Sequence, residues 1–168
     1  MKGGQLSPAL RQTLVAVAEG FSTADDPWWI ISSAAVALHG AGPIEVRDVD
    51  VLASERDAQR FLHAQGIAAA EGPASTLFRS RVFGEWRANP LPVEIIAAFQ
   101  IWRIDRWETV RPITREAVDL DGWRLFVPSR GELTAMLKAF ARPKDFERAE
   151  LLEGCVKPFG CDTVIELR

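Results

Sequence analysis

The segment Asp48-Val49-Asp50-Val51 constrains this chain more than any other stretch of it. Alternating acidic and apolar residues suit an extended backbone, which sends every second side chain to one face, so both carboxylates would converge while the valines enter a core. Two like charges held that close are costly unless a cation lies between them or a proton neutralises one. The pattern therefore reads as a site for a hard divalent metal, with Mg²⁺ the natural candidate. The plainer alternative is a solvated strand end whose acids face water or an arginine such as Arg47.

The chain around this segment has 168 residues, 48% of them hydrophobic, enough to bury a core within one domain. The expected organisation is a core over residues 22–128 followed by a helical part over 129–168. A net charge of −3 and a pI near 5.5 exclude a protein that coats nucleic acid through bulk charge, so any polyanion must be held by a local pocket. The apolar run from Ile30 to Leu38 is too short to cross a bilayer, and the amino terminus lacks a charged-then-apolar signal pattern. A cytoplasmic location without membrane contact is the expectation, and Cys155 and Cys161 read as reduced thiols.

Ser7-Pro8 predicts a helix start, continued by Leu10, Leu14 and Val17 as an apolar stripe up to Gly20. Trp28-Trp29-Ile30-Ile31 predicts a strand buried on both faces. Ala34 to His39 predicts a short helix capped by Ser32 or Ser33 and ended by Gly40. A second strand is expected over Glu45 to Leu52, then a helix from the capping box Ser54/Asp57 to about Gln65. Thr76 to Trp86 and Leu91 to Ile96 read as a hairpin, whereas Phe99 to Arg115 suits an irregular helix or a loop packed by its own aromatics. Asp121-Gly122 signals another hairpin. Ser129 with Glu132 opens a helix, and Pro143 starts the next, which runs to about Glu153.

Taken in order, Ile31-Ser32-Ser33, Asp48-Val49-Asp50-Val51 and Val93-Glu94-Ile95 resemble the signature of the nucleotidyltransferase superfamily. That signature is a Gly-Gly or Gly-Ser turn, an acidic-apolar-acidic strand and a third acid on a neighbouring strand. Ala37-Leu38-His39-Gly40 and the element from Lys138 through Arg142-Pro143-Lys144-Asp145 are similar to the branch related to abortive-infection and type IV toxin nucleotidyltransferases. The resemblance spans Trp28 to Leu152 and implies an α/β (α+β) fold, a mixed sheet packed with helices and a short carboxyl-terminal helical part. It implies transfer of a nucleoside monophosphate from a nucleoside triphosphate to a hydroxyl of RNA, protein or a small molecule, with a cognate regulatory partner possible. Asp48, Asp50 and Glu94 would hold one or two Mg²⁺, and Glu94 would accept the attacking hydroxyl's proton. Ser32 and Ser33 would face the phosphates, Lys138 and Lys144 would counter their charge, and Asp145 would fix a lysine or assist deprotonation. Ser32 stands where the family has glycine and Val46 where it has Thr or Ser, which motivates a second reading: a degenerate member that binds nucleotide, RNA or a partner without turnover. A metal-dependent phosphoesterase is a third, without the histidine-rich site such hydrolases often use.

Each of these residues also has a purely structural account. Asp145 in a first helical turn is favoured by the helix dipole alone, and Lys138 and Lys144 suit a solvated surface. His39 suits a helix end better than a metal, and Arg79 and Arg81 suit water. The six tryptophans suit packing, with Trp102, Arg103 and Arg106 a faint hint of base stacking.

Overall fold

The computed structural model describes residues 6–154; Cys155 and Cys161 lie outside them. Helix α1 (Pro8–Gly20) starts as the sequence predicts: Ser7 Oγ accepts from the Leu10 amide at 3.2 Å, and Leu10, Leu14, Val17 and Ala18 form the buried stripe. Strand β1 (Trp29–Ile31) is buried throughout. It passes directly into helix α2 (Ser32–Leu38), so neither serine is the cap, and Ile31 before them offers no side-chain cap. His39 ends α2, its Nε2 2.8 Å from the carbonyl oxygen of Pro128.

Strand β2 (Val49–Ala53) is shorter than the expected Glu45 to Leu52, and Asp48 immediately precedes it. The reason lies in its neighbours: β1 ends opposite Asp50, and the strand on the other side begins opposite Val49. Helix α3 (Glu55–Ala64) is capped by Ser54, but the Asp57 carboxylate does not close the box. It accepts instead from the amides of Asp25 and Asp26, at 3.2 and 2.8 Å.

The expected strand over Thr76 to Trp86 is two strands, β3 (Phe78–Arg79) and β4 (Val82–Trp86), which join different sheets. After β5 (Val93–Ala97), the ambiguous region is neither helix nor loop but a hairpin of β6 (Gln100–Arg103) and β7 (Arg106–Thr109). Its turn residues Ile104 and Asp105 both have positive φ, 48° and 60°, a conformation usually announced by Asn-Gly. The cross-strand pair Trp102 and Trp107, with ring centroids 5.4 Å apart, supplies the contact that the turn chemistry does not signal. Asp121-Gly122 does make the expected turn, between β8 (Glu116–Leu120) and β9 (Trp123–Val127). Helices α4 (Arg130–Phe140) and α5 (Pro143–Gly154) close the described chain. Ser129 caps α4, while the Glu132 carboxylate accepts from the amides of Ile113 and Thr114.

The fold is mixed α+β, as expected. A four-stranded sheet of order β1-β2-β5-β4 has one parallel pair, β2 and β5, and is accompanied by the sheets β3-β6-β7 and β8-β9. One face of the four-stranded sheet presents Ile30, Val49, Val51, Val93 and Ile95 to the main core, which also takes in the apolar residues of α1 and α3. The other face carries a smaller cluster of Trp29, Ile31, Leu52 and Ile96. Leu62 of α3 rests on Gly84 of β4, where a Cβ would collide with its side chain. Gly84→Ala is therefore expected to lower stability by about 1–3 kcal/mol in urea denaturation, through overpacking of a closed core. No helix among the described residues is long and apolar enough to cross a membrane.

Candidate functional site

The register of β2 and β5 builds the site. Asp50 lies directly opposite Glu94, so both side chains leave the same face of the sheet from adjacent strands. Asp48, two residues upstream, joins that face, and one carboxylate oxygen from each of the three acids lies within 4.8 Å of the others. All three are half-buried. Ile31 is opposite Asp50 on the other side, which brings the β1–α2 junction and Ser32 against the acids.

No direct ion pair neutralises this cluster among the described residues. Arg47, the nearest cation in sequence, turns to Glu45 at 3.1 Å, and no ion pair among the described residues includes Asp48, Asp50 or Glu94. The titration of the group follows. Burial, then repulsion from Asp48, raises the Asp50 carboxyl above its ordinary value, against hydrogen bonds with Ser32 and Glu94 and the charge of Arg148. Burial, then repulsion from Asp50 and Asp48, pushes Glu94 up to about 7 from an ordinary 4.5. Glu85, the register partner of Glu94 on β4, adds to the same push. Three converging carboxylates, with Asp50 and Glu94 penalised for ionising without a counter-charge, have the donor set and spacing that suit a hard divalent cation.

Two of the three acids, Asp50 and Glu94, line a cleft of about 200 Å³. Ser32 joins them in the lining, Phe78, Phe99 and Phe140 supply apolar walls, and Arg79 and Arg142 bring positive charge. Ser32 takes the left-handed conformation with φ 57°, the geometry for which glycine is the default residue. The sharp turn thus forms in spite of the Cβ, and the serine side chain gained there favours the ionised form of Asp50. Ser32→Gly relieves the backbone strain whereas Ser32→Ala keeps it, and both lose the hydroxyl. The glycine variant is expected to be more stable than the alanine variant by about 1 kcal/mol, read from paired thermal denaturation curves.

The other residues singled out by sequence are placed as follows. Ser33 is buried in the first turn of α2, beside but not among the cleft residues. Lys138 is ion-paired with Glu153 and lines a different groove, between α4 and β6. Lys144 is exposed in the first turn of α5. Asp145 is fully buried and bonds two arginines, not a lysine. The three-residue spacing explains this: Arg142 and Arg148 fall on the same side of the helical path as Asp145, while Lys144 is turned about 100° away. Reading the Arg-x-Lys-Asp element for its lysine overlooked Arg142, although that residue was inside it. The aromatic walls had no local signal, because Phe78, Phe99 and Phe140 come from three separate segments.

No family model and no curated protein matches the sequence. Solved structures do resemble the fold. A candidate nucleotidyltransferase from Thermotoga maritima superposes with a TM-score of 0.64 at 23% identity, covering 84% of this chain and 89% of the other. The lincosamide antibiotic adenylyltransferase LnuA, lincomycin-bound, gives 0.57 at 11% identity, covering 91% and 100%. The antibiotic-resistance factor ANT(2″)-Ia gives 0.53 at 13% identity, covering 83% and 80%. The shared feature at these identities is the nucleotidyltransferase fold.

Proposed function

We propose that this chain is a metal-dependent nucleotidyltransferase that moves a nucleoside monophosphate from a nucleoside triphosphate to an acceptor hydroxyl. The observation that carries the reading is the convergence of Asp48, Asp50 and Glu94 within 4.8 Å, with Asp50 and Glu94 lining a cleft, in a nucleotidyltransferase fold. In this reaction the acceptor oxygen bonds the α-phosphorus, the bond from that phosphorus to the bridging oxygen breaks, and pyrophosphate carries away the electron pair.

Asp48, Asp50 and Glu94 would hold one or two divalent cations, Mg²⁺ being the natural choice, which neutralise phosphate charge and orient the reacting oxygens when bound. Glu94 stands on the strand next to Asp50 and takes the proton from the attacking hydroxyl. Ser32, beside Asp50 in the cleft lining, favours its ionised form. The buried Ser33 supports the same turn, whose amides and hydroxyl serve the phosphates. Lys144, exposed at the start of α5, adds positive potential, Lys138 is held by Glu153 in the adjoining groove, and the aromatic walls take the apolar part of a substrate.

The test is transfer of label from α-labelled triphosphates in Mg²⁺ to RNA, protein and small polyhydroxyl acceptors. The last class belongs in the panel because LnuA is lincomycin-bound and ANT(2″)-Ia has been seen with adenylyl-2″-tobramycin. Transfer that disappears when Asp48 and Asp50 are replaced supports the reading, and transfer that persists removes it. Serine at the tight turn and Val46 two positions before the first acid favour one second reading, a module that binds nucleotide, RNA or a regulatory partner without turnover. Tight binding of a non-hydrolysable triphosphate with no transfer to any acceptor would select it.

A further inference from the structure

We propose that Asp145 is a positioning residue: buried at the start of α5, it holds the guanidinium group of Arg142 at the cleft wall, presented to the β and γ phosphates of the bound triphosphate, with Arg148 as its second partner. The inference rests on the nucleotidyltransferase reading of the cleft. Both oxygens of Asp145 are engaged by Arg142, Oδ2 by Nε at 2.6 Å and Oδ1 by Nη2 at 3.0 Å, and Oδ2 also accepts from the Arg142 amide at 3.3 Å. Arg148 Nη1 reaches Oδ1 at 3.4 Å. The carboxylate has no solvent exposure, while the Arg142 side chain keeps 31%.

The geometry separates this group from an ordinary helix-start ion pair. A fork-to-fork pair on a fully buried acid fixes the plane of the guanidinium, and the Phe78 ring, 4.8 Å from its carbon, restrains it further. Arg142 has five N–H donors, and those not bound to Asp145 remain on a side chain that lines the same cleft as Asp50, Glu94 and Ser32. An arginine held in this way has lost its rotamer freedom before a ligand arrives, so that cost is not charged against binding. Burying an ion cluster is a poor way to gain stability, because well-packed apolar residues of similar volume do as well or better. A function at the cleft accounts for what stability does not. Arg148 contributes at longer range, since its positive charge acts on Asp50. Lys138, the cation suggested by sequence, is paired with Glu153 in the adjoining groove.

The full chain and its Arg142→Gln, Arg142→Lys and Asp145→Asn variants are titrated in Mg²⁺ with non-hydrolysable analogues of the four nucleoside triphosphates and with the matching monophosphates. Circular dichroism reads whether each variant is folded. Arg142→Gln is expected to weaken triphosphate binding about tenfold or more and monophosphate binding by less than about threefold. Arg142→Lys recovers little of the loss, because an ammonium cannot reproduce the fork. Asp145→Asn shows the same triphosphate-selective loss, although its side chain does not line the cleft. If Asp145→Asn fails to fold, Arg142→Gln decides the matter, since there Asp145 retains Arg148. Unchanged triphosphate affinity in Arg142→Gln, or an equal loss of both ligand classes in a folded Asp145→Asn, overturns the proposal and leaves the transferase reading standing wherever the wild type transfers label. A wild type that binds none of the triphosphates overturns both.

Discussion

Replacing Asp48 and Asp50 together by asparagine is expected to lower nucleotidyl transfer at least about a thousandfold, because two of the three charged donors for the cation disappear. The same change is expected to leave the metal-free protein as stable as the wild type or more so. Asp50 is held with a raised pKa by burial and by Asp48, so its ionised form opposes folding. Asparagine keeps nearly the same shape, removes two like charges and retains an oxygen that accepts a hydrogen bond from Ser32. Activity and stability should therefore move in opposite directions, the behaviour expected of a site maintained for function at a cost in stability. The measurements are label transfer at saturating triphosphate and thermal denaturation in EDTA. A double variant that loses activity because it unfolds would show instead that the two acids are structural.

The second large effect concerns pH. Glu94 titrates at about 7 in the folded chain and at an ordinary 4.5 when unfolded. Between those values the folded state binds more protons than the unfolded state, so the stability of the metal-free protein falls as pH rises. The extra stability is complete below pH 4.5 as far as this group is concerned and is lost as pH passes through 7. Asp50, raised in the same direction, adds to the trend. Allowing for partial solvent contact, the loss attributable to Glu94 is on the order of 2 kcal/mol. Denaturation curves in EDTA at pH 5 and pH 8 read it directly, and Glu94→Gln should flatten the difference. Saturating Mg²⁺ should reverse the slope, since a divalent cation binds the ionised carboxylates and stabilises only the folded state. A metal-free stability that rises from pH 5 to pH 8 would show that the acids do not repel one another as their geometry implies.

Local chemistry explains which elements the sequence made legible. Ser7-Pro8, Ser54, Ser129 and Pro143 begin helices where their capping and φ preferences place them. Asp121-Gly122 turns a hairpin because its residues tolerate positive φ. The hairpin at Ile104-Asp105 was not legible, since β-branched Ile104 argues against that conformation, no glycine follows Asp105, and the turn is imposed by the pairing of the strands on either side. The boundary of β2 was missed for a related reason: a strand ends where its partners end, and the partners of residues 45–48 are not written beside them.

That Asp48 and Asp50 share a face follows from the order of residues alone, because an extended backbone repeats every two residues. The same order places a further acid on a later strand amid apolar neighbours. Only the tertiary structure decided that Glu94 lies opposite Asp50, that Phe78, Phe99 and Phe140 wall the cleft, and that Arg142 rather than Lys138 enters it. Those outcomes depend on strand register and on how helices pack across the chain. Contacts between residues far apart in sequence are chosen by the packing of the whole core, and no single segment contains that information.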